Sequence, residues 1–263
     1  MAFAHVDPQS GVDSTGRGSV ASPYKSIQYA NDDAANWADG ARSTTGPNII
    51  YLWNTAADVL TSTIALTINS IESPLIIRGY DGGGSLTRSL PFKRGGVRQT
   101  AMCGEIDGND AVASIFNLEL YVTLQYLKCH STTSFVVYLG DGSIVDSCEV
   151  YNGSTRVLNL QQSSTFNTYV HGDNYTATLI YAEGGVFDCE AHGGGVGINP
   201  VVNSAVVSRC LIHDIRNYGI LVRDGLSIKN CTIDGIGASA SSEGINTNST
   251  AIEMAEITDC IIS

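Results

Sequence analysis

The chain has 263 residues, of which 15% are charged and 43% hydrophobic, with 28 glycines and a formal net charge of −12. That length suffices for one large core without disulfides, and the acidic balance disfavours nucleic acid and anionic membrane surfaces as partners. No run approaches the roughly 18 apolar residues of a membrane helix, and the opening MAFAHVDPQSG lacks a basic segment followed by an apolar core, so a soluble chain without a signal peptide and without membrane insertion is expected.

In ASPYKSIQYANDDAANWADG, Ser22 is the expected N-cap of a helix and Pro23 its first residue. Tyr24, Ile27, Ala30, Ala34, Trp37 and Ala38 then share one apolar face that ends near Gly40. Strands are expected at NIIYLW (48–53), TIALTI (63–68) and PLIIRGY (74–80). Residues 78–98 hold Arg78, Arg88, Lys93, Arg94 and Arg98, five of the fourteen basic residues, against Asp81 alone. The segment reads as a solvated loop or as an anion or partner contact made by Arg88, Lys93, Arg94 and Arg98.

Beyond residue 120 the cysteines set a period. Cys129, Cys148, Cys189, Cys210, Cys231 and Cys260, joined by Tyr169 as a seventh marker, are separated by 19, 21, 20, 21, 21 and 29 residues. Three positions before each marker the residue is apolar (Tyr126, Val145, Phe166, Val186, Val207, Ile228, Ile257), and one position before it is polar (Lys128, Ser147, Thr168, Asp188, Arg209, Asn230, Asp259). A period near 20 with short alternating runs such as GSIVDSCEV, AVVSRCLI and LSIKNCTI predicts a coil of short strands. A further strand per repeat is expected at FVVYLG, RVLNLQ, TATLIYA, YGILVR and TAIEM. The fold class is therefore all-β, a single-stranded right-handed parallel β-helix of about 20 residues per coil with an N-terminal capping helix. Residues 1–45 form the expected cap, and 46–263 the β-helix, with a basic loop insertion at 78–104. The chain stops at ITDCIIS inside a repeat, so an unfinished C-terminal end is expected. The stacked cysteines read as buried free thiols, slim hydrophobes in a narrow coil. Their spacing is not that of zinc ligands, and neither a metal nor a cofactor is expected.

The opening HVDPQSGVDSTGRGSVASPYKSIQYA, followed by IIYLW and IIRGYDGGGS, resembles the N-terminal segment of right-handed β-helix proteins of the pectin-lyase-like superfamily, among them bacteriophage tail and tailspike proteins and some polysaccharide lyases. The resemblance implies a virion or extracellular protein, a tail fibre, tailspike or surface spike. Its partners would be further copies in a trimer or other virion proteins, and its role structural or host-glycan binding. The alternative is a glycoside hydrolase or polysaccharide lyase acting on an extended glycan along the outer face.

Counted from the markers, Glu190, His192, His213, Asp214 and Asp234 form an outward patch across three coils. Glu190, Asp214 and Asp234 are the candidate catalytic carboxylates, since glycoside hydrolysis needs two of them flanking the scissile bond. His192, His213, Tyr151 and Tyr218 are the candidate glycan contacts. The same residues equally read as polar side chains stacked at a turn. Neither the WIDH segment of common pectate lyases nor the ordered NTDG, GHG and RIK segments of polygalacturonases is present, so no catalytic residue is carried over. HGGGVG (192–197) lacks the lysine and the strand-to-helix setting of a phosphate loop and reads as a coil turn.

Overall fold

From Leu75 to Thr247 each repeat carries three short strands separated by sharp corners, and the same strand of successive repeats pairs in parallel. The computed structural model describes residues 1–66, 70–80, 104–172, 176–202, 205–222, 225–237, 242–247 and 256–263. Among these the strands form three all-parallel sheets of ten, nine and seven members, each linking one coil to the next. The chain is a right-handed parallel β-helix. Its first strand, Ala2–Val6, already belongs to the ten-stranded sheet, paired with Asn48–Trp53.

The repeat is real, but its register differs from the one the cysteines suggest. Pairing of Glu149 with Lys128 and with Tyr169, and of Tyr169 with Glu190, stacks Cys148 on Leu127, Thr168, Cys189, Cys210, Cys231 and Cys260. Cys129 lies two residues beyond that column, level with Val150, and Tyr169 lies one beyond it. The column one place earlier is then Tyr126, Ser147, Asn167, Asp188, Arg209, Asn230 and Asp259, and all seven have φ between 48° and 56°. This left-handed corner is what the polar column encodes. Asn and Asp adopt it at low cost, while a tyrosine or arginine there is uncommon. Arg209 is steadied by two bonds from its guanidinium to Asp188 in the corner below, at 2.7 and 2.6 Å. Runs such as GSIVDSCEV therefore contain two strands, Ile144–Asp146 and Glu149–Gly153, in different sheets.

With the register corrected, the interior columns are apolar almost throughout. Leu124, Val145, Val186, Val207 and Ile228 line one, broken by the buried Thr165. Ile106, Cys129, Val150, Val170, Ala191, Ile212 and Ile233 line another, all buried. The third is Val136, Val157, Leu179, Gly197, Gly219 and Gly244, shrinking as its opposite number grows from Ala191 to Ile212 and Ile233. The six described cysteines are free, five of them buried and Cys260 half-buried. Burial holds the Cys210 thiol well above its usual range. With Cys103 replaced by serine, a thiol reagent applied to the native protein should modify Cys260 and spare Cys210 until the chain is unfolded; labelling of Cys210 at the rate of Cys260 would contradict this packing.

Near the N-terminus the helix is shorter than expected, Ile27–Asp32, and its N-cap is Ser26, whose hydroxyl accepts from the Tyr29 amide at 3.3 Å. Ser22 and Pro23 are not helical because Tyr24 pairs with the first strand, donating to His5 O at 2.9 Å and accepting from Asp7 N at 2.8 Å. Tyr24, Ile27, Ala30, Ala34 and Trp37 are buried as expected, whereas Ala38 is exposed. Of the strands expected next, NIIYLW and PLIIRGY form, while TIALTI contributes only a single bridge, Ile64 to Phe116, among its described residues. FVVYLG, RVLNLQ, TATLIYA and YGILVR supply strands of the seven-stranded sheet. Its last strand is Glu243–Thr247; TAIEM lies outside the described residues, as do Arg88, Lys93, Arg94 and Arg98.

Asp58 is buried in the first coil, where its carboxylate accepts from the Ile27 amide at 3.0 Å and desolvation pushes its pKa up to about 6. A carboxyl raised in the folded state binds its proton more tightly than in the unfolded chain, so stability falls as pH rises from the unfolded value toward 6, and the cost is complete above it. Asp58→Asn keeps an oxygen for Ile27 and removes that cost. It should be more stable than the parent by about 2 kcal/mol near neutral pH, with the difference vanishing near pH 4, in urea titrations at the two conditions.

Candidate functional site

On the nine-stranded sheet the side chains alternate between the interior and solvent. The outward column three places beyond the corrected markers reads Asp107, His130, Tyr151, His171, His192, His213 and Asp234, each paired in register with the next. Four of the five histidines of the chain stand in this one ladder. Two places earlier along each strand, on the same face, runs a second column, Glu105, Lys128, Glu149, Tyr169 and Glu190, followed by Leu211 and Thr232, with Glu149 and Tyr169 buried beneath their neighbours.

The columns are joined diagonally, three imidazoles each bonding a carboxylate of the preceding coil. His130 Nε2 lies 2.7 Å from Glu105 Oε1, His171 Nε2 lies 3.1 Å from Glu149 Oε1, and His213 Nε2 lies 3.0 Å from Glu190 Oε1. Lys128 Nζ reaches Glu105 Oε1 at 2.9 Å and stands 5.4 Å from the Tyr151 ring. Ring stacking runs along the axis, with Tyr151 4.7 Å from His130 and 4.6 Å from His171 at interplanar angles of 16° and 9°. His192 and His213 lie 4.7 Å apart. The strip is unevenly open: His130, Glu149 and Tyr169 are buried, whereas the side chains of His192 and Asp214 are 37% and 63% exposed.

Electrostatics follow from this pairing. Burial pushes the Glu105 carboxyl up, but hydrogen bonds from Lys128 and His130 outweigh it and hold the group below the usual carboxylate range. Burial likewise opposes the charge on Lys128, yet Tyr151 and Glu105 together raise its pKa. The Tyr151 phenol is raised, chiefly by burial, so it is not a base near neutrality. His213 is raised by its bond to Glu190, against the effect of burial, with Asp214 adding to the rise.

The expected residues are mostly brought together. Tyr151, His192, His213 and Asp234 share the ladder, Glu190 stands beside it, and Asp214 follows it at a left-handed bend with φ 53°. Asp214 Oδ2 lies 2.8 Å from His213 Nδ1 and 3.4 Å from His192 Nε2. The Asp234 carboxylate instead accepts from Gly235 N at 2.7 Å and Ser263 Oγ at 2.8 Å. Tyr218 is not part of the strip; it begins the strand Tyr218–Val222 of the seven-stranded sheet. His130 and His171 were hidden by the shifted markers Cys129 and Tyr169, and the run of left-handed Asn and Asp corners is the signal that exposes them.

The stacked parallel sheets and the outward ladder define a right-handed parallel β-helix. No protein-family model and no curated protein matches the chain. Among solved structures it is similar to a rhamnogalacturonan lyase, at 8% identity and a TM-score of 0.52, over 99% of this chain and 87% of that one. It also aligns with the structure of rice weevil pectin methyl esterase, at 18% identity and a TM-score of 0.44, over 87% of this chain and 67% of that one. The likeness to the lyase is one of fold.

Proposed function

We propose that the chain binds an extended polysaccharide along the ladder from Asp107 to Asp234. The observation that carries this reading is the repetition of a polar rung in every coil, at a spacing of about 4.8 Å, which matches a polymer of sugar units laid along the axis. Six carboxylates (Glu105, Asp107, Glu149, Glu190, Asp214, Asp234) stand there against Lys128 and the imidazoles, so a neutral or amino-sugar glycan suits the strip better than a polyuronate. The N-terminal segment supports the further proposal of a virion or other extracellular surface as the setting, and of a homotrimer; light scattering on the purified chain reads its mass directly, and a monomer at high concentration would oppose the trimer.

A polysaccharide hydrolase or lyase is the second reading, favoured by the three imidazole–carboxylate pairs. Two features weigh against it. The imidazole of His213 fills the space between Glu190 and Asp214, where a scissile bond would sit between acid and nucleophile. Among the described residues, burial raises the carboxyls of Asp58 and Glu119, which stand in an interior column and in another sheet. Affinity electrophoresis through a panel of neutral, amino and acidic polysaccharides separates the readings. Retardation without new reducing or 4,5-unsaturated ends supports binding, new ends support the enzyme, and no retardation across the panel opposes both.

A further inference from the structure

His192, His213 and Asp214 converge where the ladder meets the bend. The ring nitrogens His192 Nε2 and His213 Nδ1 and the oxygen Asp214 Oδ2 all lie within 4.8 Å of one another. The two contacts to Asp214, 3.4 and 2.8 Å, bracket the roughly 3.3 Å edge of a tetrahedron whose centre is about 2.0 Å from each corner, the ordinary length of a zinc–nitrogen bond. The outer atoms of both rings are engaged on the protein side. His213 Nε2 is bonded to Glu190 Oε1 at 3.0 Å, and the Tyr169 hydroxyl lies 3.5 Å from His192 Nδ1. A carboxylate behind a ligating imidazole fixes the tautomer that offers the other nitrogen to a cation.

The backbone supports the same assignment. The bend residues in neighbouring coils are Gly193 and Gly235, both left-handed like Asp214, so no side chain competes with the carboxylate above or below it. A Cβ at Gly235 would lie 3.0 Å from Asp214 Oδ1. With a side chain 63% exposed, Asp214 leaves the far side of the cluster open to water.

We infer that His192, His213 and Asp214 bind one divalent transition-metal ion, of the zinc and cobalt class that prefers imidazole, with Glu190 and Tyr169 orienting the two rings. The cation replaces the proton shared between His213 Nδ1 and Asp214, and water completes its coordination.

Cobalt(II) titration of the chelator-treated full chain, in the absence of any glycan, tests this. One equivalent should bind with a visible ligand-field spectrum and no thiolate charge-transfer band, and zinc should displace it. Asp214→Asn and His192→Ala should each weaken binding at least about tenfold, and Glu190→Gln by about tenfold through the loss of ring orientation. Asn is favoured at a left-handed bend, so Asp214→Asn keeps the fold, and circular dichroism checks it. No stoichiometric uptake, affinity unchanged in both Asp214→Asn and His192→Ala, or a thiolate band would overturn the inference.

Discussion

Replacing Gly219 with valine is expected to unfold the C-terminal coils of the β-helix. A Cβ there would meet Gly244 O at 2.4 Å and Ile233 Cγ2 at 2.7 Å, so the added side chain collides with both the next strand and the facing interior column. The backbone oxygen cannot rotate away as a side chain can. Overpacking of a full core costs about 1–3 kcal/mol, and the backbone clash should place this variant at or above the upper end of that range. Thermal melts should show a lowered or split transition. The second substitution Ile233→Ala relieves only the contact to Cγ2, so the double variant should recover part of the loss. A Gly219→Val protein as stable as the parent would mean that the columns of the two sheets do not meet as described.

Alanine in place of Tyr151 should cause the largest loss of glycan affinity of any single change on the strip. Its ring is held between His130 and His171, and Lys128 stands beside it, so truncation removes the brace of two imidazoles and one cation together. Truncation of a central aromatic anchor commonly costs about 2 kcal/mol or more, on the order of thirtyfold in dissociation constant. Tyr151→Phe keeps the stack and deletes the hydroxyl, and it should retain most of the affinity if edge geometry rather than the phenol governs recognition. Isothermal titration with a polysaccharide retarded in the electrophoretic screen reads both variants. Equal affinity in Tyr151→Ala and the parent would move the binding face off this strip.

The architecture was legible because a solenoid writes its period many times. Val186, Val207 and Ile228 recur every 21 residues, and each repeat restates the pattern. What the sequence hid was local register. Cys129 and Cys148 look equivalent, yet Cys129 lies two residues further past its corner than Cys148 does past its own. Any slim hydrophobe fits either place, so chemical identity cannot tell the two positions apart. Conformation can: Asn167, Asp188, Asn230 and Asp259 share a left-handed φ that favours those residue types, and they mark the corner more reliably than the thiols do. Missing that cue displaced His130 and His171 from the candidate site while leaving His192 and His213 in it. The helix start shifted for a different reason. Pro23 is well suited to a first helical position, but pairing of Tyr24 with the first strand, together with bonds from the Lys25 and Ser26 amides to Asp13, holds that stretch extended.

The left-handed corners also make the molecule a ruler that tolerates being lengthened. Between Cys231 and Cys260 the chain is eight residues longer than the 21-residue step before it, yet Thr232 still pairs with Ile261 and Ile233 with Ile262. Each corner thus resets the register, and additional sequence is absorbed between corners without displacing the coil after it. A duplicated 21-residue coil inserted after Arg209 would add one rung to the histidine ladder, and with it about 4.8 Å of reach along a polymer. Length of the recognised ligand is in this fold a matter of how many coils are counted, independent of the chemistry at any one of them.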